Sequence, residues 1–214
     1  MKTRTIPLFP LNSVLFPDGI LALQIFELRY LNMVRKCIAD GTAFGVVPLI
    51  QGNEVRQPGR QETLGDCGTM AVVIESTTPQ PALLQIVCRG TTRFRVRAAE
   101  QMKDGLWTAQ IEAMEDDLIV SVPSELKDTA DALEGLIAAL ERDEGTLDQR
   151  VIAAPYRQQE CGWVANRWCE LLPLDATQKI RLLMLDSPLL RLELVQDALE
   201  LRQILPARGD HPPR

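Results

Sequence analysis

Two regimes of residue usage meet near residue 118. From Thr5 to about Glu115 the chain runs in short β-branched and aliphatic stretches punctuated by proline and glycine, and from about Ser124 to Leu205 helix formers dominate. A chain that spends its strands first and its helices afterwards predicts an α+β layout. We divide it into a β-rich domain over residues 1–118, a helical bundle over 119–206 and a frayed tail over 207–214. With 214 residues, 46% of them hydrophobic, such a chain can bury roughly 70% of the surface it exposes when unfolded, enough for one or two cores.

In the first half, Thr5 to Leu11 reads as a strand, and Pro7 and Pro10 suggest that it lies at an edge or enters irregularly. Pro17-Asp18-Gly19 reads as a tight turn, followed by a strand from Ile20 to Ile25. Glu27 to Ala39 has helical periodicity. Leu31, Val34 and Ile38 share a face broadened by Tyr30, Met33 and Cys37, opposite Glu27, Arg29, Asn32, Arg35 and Lys36. Gly41 sits where a left-handed cap would end the helix. Further strands are expected at Ala43–Ile50, Thr69–Thr77, Ala82–Arg89 and Thr92–Arg97, with a polar loop, Gln51 to Thr63, after the first of them. In Thr92–Arg97, Phe94 and Val96 alternate with Arg93, Arg95 and Arg97. Trp107, Ala109, Ile111 and Ala113 alternate in the same way. Six or seven short strands with one helix predict a small closed or half-closed barrel.

In the second half, Ser124 is placed to cap a helix whose stripe is Leu126, Ala130, Leu133, Ile137 and Leu140. Its other face is acidic, with Glu125, Asp128, Asp131 and Glu134 leading a run that continues to Asp148. A helix is expected from near Gly162 to Leu172, stopping before Pro173. Asp175 with Gln178 forms a capping box for the next, and Ser187-Pro188 starts the last.

Few kinds of chemistry survive the composition. The single histidine, His211, lies in the tail, which removes histidine-based triads, metal sites and general bases. None of the five lysines follows a glycine, so there is no phosphate-binding Gly-Lys-Ser/Thr loop, and no serine sits in a nucleophile turn. Five scattered cysteines, Cys37, Cys67, Cys88, Cys161 and Cys169, form no C-x-x-C pair and read as reduced, buried thiols. We therefore expect no catalytic residue, no cofactor and no metal, and no enzyme. A net charge of -6 disfavours phosphate and anionic lipid. Prolines break the start of the chain as a signal segment, and no apolar run approaches 20 residues. A cytoplasmic, soluble protein is expected.

Three blocks carry a resemblance. IPLFPLNSVLFP from Ile6 to Pro17, LQIFELRY from Leu23 to Tyr30 and FGVV from Phe44 to Val47 form the first. Leu64-Gly65 through Val73, with RGTTRFRV from Arg89 to Val96, forms the second. Trp163 to Pro173, Lys179 to Leu183 and Arg191-Leu192 form the third. Together they resemble the amino-terminal substrate-binding domain of Lon proteases, in a free-standing member without the ATPase or peptidase domains. Gln24 departs from the histidine that shorter bacterial relatives often carry before I-F-E.

The resemblance implies a PUA-like β pseudo-barrel followed by an α-helical bundle. It also implies a role in recognising unfolded or tagged protein chains, with a protease or chaperone as a further partner and a homo-oligomer compatible with it. The candidate peptide-binding residues are Glu27, Arg29, Tyr30, Asn32, Arg35 and Lys36, beside an apolar groove or strand edge that could hold extended peptide. For Glu27, Arg29 and Tyr30 a structural role competes: a helix-entry acid, an arginine–acid contact and a packed ring. The alternative function is RNA binding through the basic strand face Arg93, Arg95 and Arg97, with Arg56 and Arg60 in the polar loop. Aromatic residues, 5% of the chain, are not interleaved with those arginines for base stacking.

Overall fold

The computed structural model describes residues 3–52, 54, 62–142 and 152–206. Its strands are β1 (Thr3–Leu11), β2 (Ile20–Ile25), β3 (Phe44–Gln51), β4 (Thr63–Leu64), β5 (Cys67–Gln80), β6 (Leu83–Gln101) and β7 (Trp107–Ala113), with helix α1 (Leu28–Asp40) between β2 and β3. After them come α2 (Lys127–Glu141), α3 (Cys161–Leu171), α4 (Ala176–Leu183) and α5 (Pro188–Leu201). The α+β order read from residue usage is the order of the fold.

Five strands close on themselves. β1 runs antiparallel to β7 and parallel to β3, and the circuit returns through β3–β5, β5–β6 and β6–β7, all antiparallel. One apolar cluster takes a residue from every strand of this ring: Ile6 and Leu8, Val47, Met70, Phe94, and Ala109 with Ile111. It fills the interior of a pseudo-barrel, as closure requires. Two glycines make room for Phe94. A Cβ on Gly45 would lie 2.9 Å from the Phe94 ring, and one on Gly68 would lie 2.7 Å from it and 2.2 Å from the Val46 carbonyl oxygen.

Strand β1 is not an edge strand, contrary to the expectation from its prolines. It pairs with β7 over Thr3–Leu8 and with β3 over Leu8–Leu11, so only Leu8 has a strand on both sides. Pro7 and Pro10 fall where β1 has one neighbour, and proline is tolerated in a strand where one side carries no ladder. The two strands expected at Ala82–Arg89 and Thr92–Arg97 are one strand, β6. Its first half pairs with β2 and its second with β7. Gly90 does not break it. A Cβ there would sit 2.2 Å from the Phe16 carbonyl oxygen, and its N–H donates to the Gly19 carbonyl at 2.9 Å. The glycine permits the approach of the Phe16–Gly19 turn.

Helix α1 packs Tyr30, Leu31, Met33, Val34 and Cys37 onto β2 and the first half of β6, in a cluster with Phe9, Phe44 and Ile86. Gly41 ends it at φ 62° with its N–H returned to the last turn. Ile38, assigned from periodicity to the buried face, is 40% exposed. The stripe through residues 30, 33–34 and 37 leaves it on the flank.

The helices enclose a core that recruits Val14, Phe16 and Cys67 from the β-rich half. In α3 every residue from Cys161 to Cys169 is buried, which makes it the central helix. Asp175 and Gln178 form the reciprocal capping box, and Ser187 accepts from the Leu190 N–H with Pro188 at the first helical position. Ser124 does not cap. Residues Ser124–Leu126 wind as a 3-10 turn, and the Ser124 hydroxyl donates to Glu125. Leu140, the last member of the expected stripe, is 42% exposed. The polar-loop arginines Arg56 and Arg60, the acidic run at 143–148, and the tail with His211 lie outside the described residues.

Candidate peptide-binding site

The entry to α1 is fixed by a stack. Tyr30 lies on Phe9 with ring centroids 4.2 Å apart, and the Arg29 guanidinium sits 4.5 Å from the Tyr30 centroid. Arg29 Nε donates to Glu27 at 2.9 Å and its Nη1 to the Gly105 carbonyl at 2.6 Å. Arg29 is therefore buried, not on the outer face where periodicity put it. Its planar guanidinium can satisfy an acid and a carbonyl while stacking on a ring, which a lysine could not do. Burial pushes the Tyr30 hydroxyl well above its ordinary pKa despite the opposing pull of Arg29. Glu27 is the N-cap residue through its backbone, its carbonyl accepting from the N–H groups of Tyr30 and Leu31.

Around this fixed corner the surface is apolar. Phe26 is 60% and Leu28 70% exposed, on either side of Glu27. A cavity of about 100 Å³ opens beside them, lined by Phe9, Leu11, Leu23, Phe26, Glu27 and Tyr30 among others. Periodicity missed Phe26 and Leu28 because they lie at the strand–helix junction, where neither period applies.

Farther along α1, Asn32, Arg35 and Lys36 are exposed as expected. Arg35 Nη2 donates to the Pro81 carbonyl at 3.1 Å, and Lys36 pairs with Asp40 at 3.0 Å. Exposed ion pairs of this kind add little stability and break readily. Next to them a groove of about 250 Å³ runs between the end of α1 and β5, lined by Cys37, Ile38, Thr42, Val72 and Ile74 among others. β3 pairs with β5 only over Thr69–Ala71. Beyond Ala71, β5 has a strand on one side only among the described residues, so this groove ends on an open sheet edge.

The three arginines of β6 do not form a shared basic face. Arg93 is 3% exposed and donates to the carbonyls of Leu183, Leu185 and Glu115 and to the Asp117 carboxylate. Arg97 is paired with Glu112. Arg95 is half-buried. The alternation put all three on one side, but the bulge between Val96 and Ala98 and the helices packed over Arg93 give each a different environment.

All five cysteines are free and buried, and burial raises each thiol, to about 12 for Cys67, Cys88 and Cys169. Such thiols are poor nucleophiles. Among the described residues no group of three His, Cys, Asp or Glu could hold a metal ion, and no helix is long and apolar enough to cross a membrane.

The model of the family described as ATP-dependent protease La (LON) substrate-binding domain matches residues 5–200. A Lon protease from Anaeromyxobacter dehalogenans (strain 2CP-C) is 32% identical over 116 residues, 54% of this chain and 13% of that protein. Lon protease 2 of Myxococcus xanthus is 30% identical over 114 residues, 53% of this chain and 13% of that protein. The chain thus spans a small fraction of the curated relatives it matches. The crystal structure of a Lon N-terminal domain protein from Xanthomonas campestris superposes with a TM-score of 0.72 at 29% identity, covering 91% of this chain and 98% of that one. The N-terminal domain of a Mycobacterium avium complex Lon protease shares the fold at a TM-score of 0.56 and 15% identity, covering 91% of this chain and 97% of that one.

Proposed function

The chain belongs to the Lon substrate-binding domain family, and from that premise we propose a non-catalytic module that holds unfolded or extended polypeptide along α1 and the open edge of β5. The observation that carries this reading is the groove between Ile38 and β5, where exposed Val72 and Ile74, 40% and 39% accessible, border a strand edge that has no neighbour among the described residues. An extended chain can add to such an edge through its backbone while its alternate side chains enter an apolar groove, so binding tolerates many sequences. Asn32, Arg35 and Lys36 precede the groove-lining Cys37 and Ile38 on the same helix and would supply its polar surroundings. Phe26 and Leu28 offer a second apolar contact, held in place by the Glu27–Arg29–Tyr30 stack.

The division near residue 118 fits this reading, since every residue lining the groove belongs to the β-rich domain. The proteolytic activity of the longer relatives is not transferred to this chain. A protease or chaperone is the partner to which a captured chain would pass, in the cytoplasm. RNA binding is not favoured, because two of the three β6 arginines it would use are committed, Arg93 by burial among the helices and Arg97 by its pair with Glu112.

The test is fluorescence anisotropy with a reduced, alkylated and permanently unfolded protein, using the wild type and an Ile38→Glu/Ile74→Glu variant. Saturable binding that the variant loses, unchanged by nuclease, supports the proposal. Equal binding by both would remove the groove from it.

A further inference from the structure

A further cavity, of about 390 Å³, lies over β2, the start of β6 and the end of β5, lined by Ala22, Gln24, Thr77, Gln85 and Val87 among others. Its floor follows from register: Ala22 pairs with Val87, and Gln24, Gln85 and Thr77 form one row across the three strands. The Thr77 hydroxyl donates to Gln85 Oε1 at 3.4 Å, so the row presents amide and hydroxyl groups without a charge. This cavity adjoins the groove between α1 and β5, because Glu75 and Ser76 line both. At that junction β5 carries one residue more than β6: Val73 pairs with Cys88 and Glu75 with Val87, which leaves Ile74 as a bulge. A bulge twists its strand and re-aims the side chains beside it. Glu75 is exposed, and among the described residues it is the one charged side chain lining either cavity. The cations of α1 are engaged elsewhere, Arg35 with the Pro81 carbonyl and Lys36 with Asp40, and no cation pairs with Glu75 among the described residues.

We propose that the polypeptide groove continues over β5 into this cavity, and that Glu75, at the crossing, selects chains in which a lysine or arginine flanks an apolar segment. The identity of the occupant as an extended polypeptide rests on the recognition function proposed above. In a trough whose other lining groups are neutral, one carboxylate sets the sign of the attraction. A lysine or arginine suits the place in both its parts: the stem lies along Val72 and Ile74 while the charged head reaches the carboxylate. An aspartate or glutamate at the same position of the bound chain is repelled. The neutral row Gln24–Gln85–Thr77 adds donors and acceptors for the backbone of the chain that crosses it, whatever its sequence.

The experiment measures anisotropy of labelled dodecapeptides on the full chain, each with a central segment of leucine and valine flanked on both sides by lysine, by glutamine or by glutamate. The expected order of affinity is lysine over glutamine over glutamate, with about threefold between successive members, the scale of an exposed ion pair. Glu75→Gln should erase the order and Glu75→Lys should reverse it, while Glu134→Gln, the same change of charge at an exposed position of α2, should leave it intact. An order that survives Glu75→Gln, or that Glu134→Gln removes as well, assigns the preference to the net charge of -6 and overturns the role of Glu75. Ala22→Trp, at an exposed position of β2, should fill the cavity and weaken every peptide several-fold, and unchanged affinity overturns the continuation across β5. The glutamine-flanked peptide and Ile38→Glu/Ile74→Glu keep the two proposals apart. Saturable binding that this variant loses, with no charge order among the three peptides on the wild type, rejects this inference alone. Peptides that do not bind the wild type at all reject the recognition reading with it.

Discussion

Asp117 grips Arg191 with both carboxylate oxygens, Nη1 to Oδ2 at 2.5 Å and Nη2 to Oδ1 at 3.0 Å. The same Asp117 Oδ1 accepts from Arg93 of β6 at 2.9 Å. One carboxylate between the strands and the helices thus bridges a cation from each side, and both arginines are at most 3% exposed. Asp117→Ala would leave two buried guanidinia facing each other, which should cost about 3 kcal/mol or more. Urea unfolding should show a lower midpoint. Loss of the shared carboxylate should also separate the transition of the β-rich half, followed at Trp107, from that of the helices, followed at Trp163 and Trp168.

Gly68→Ala tests the barrel interior. The new methyl would meet the Val46 carbonyl oxygen at 2.2 Å and the Phe94 ring at 2.7 Å, and overpacking of this kind costs about 1–3 kcal/mol. The double substitution Gly68→Ala with Phe94→Leu should recover part of the loss in thermal denaturation, because the backbone clash with Val46 remains.

Glu170 gives the chain a pH dependence of unusual sign. Its Oε1 accepts from the Phe16 N–H at 3.3 Å and its other oxygen lies 2.9 Å from Arg167 Nε. Burial outweighs the attraction of Arg167 and pushes the carboxyl up from 4.5 to about 7. A carboxyl that holds its proton more tightly when folded stabilises the fold below the unfolded value, and that contribution is lost as pH rises through the folded one. Stability should therefore decline from about pH 5 to pH 7. Glu170→Gln keeps an oxygen for Phe16 and should flatten the profile of midpoint against pH over that window. An unchanged slope would show that Glu170 does not set it.

Phe26→Ser with Leu28→Ser should change stability by no more than about 0.5 kcal/mol, since both side chains face solvent. The same variant should weaken capture of unfolded protein several-fold by calorimetry. If affinity is unchanged, this corner is not part of the binding surface.

Asp175→Ala removes the acceptor for the Gln178 N–H, a 2.7 Å bond, and the reciprocal bond from the Asp175 N–H loses its geometry. The expected cost is about 1 kcal/mol by chemical denaturation.

Local rules made much of this molecule legible in its sequence. The break between strand formers and helix formers set the α+β order, because each element's period is a property of a few neighbouring residues. Asp175 with Gln178, Ser187 with Pro188, and Gly41 marked helix ends, since caps involve residues within one turn. Motif blocks from Ile6 to Leu192 carried the family. Tertiary structure alone decided the rest. It turned Arg93 inward to the helices and Arg29 onto Tyr30, because long side chains follow the partners that neutralise them and not the face their position suggests. It exposed Ile38, left β5 without a second neighbour past Ala71 among the described residues, and joined two expected strands into β6 through Gly90. Each of those outcomes depends on segments far apart in the chain meeting at one place, and no local pattern records such a meeting.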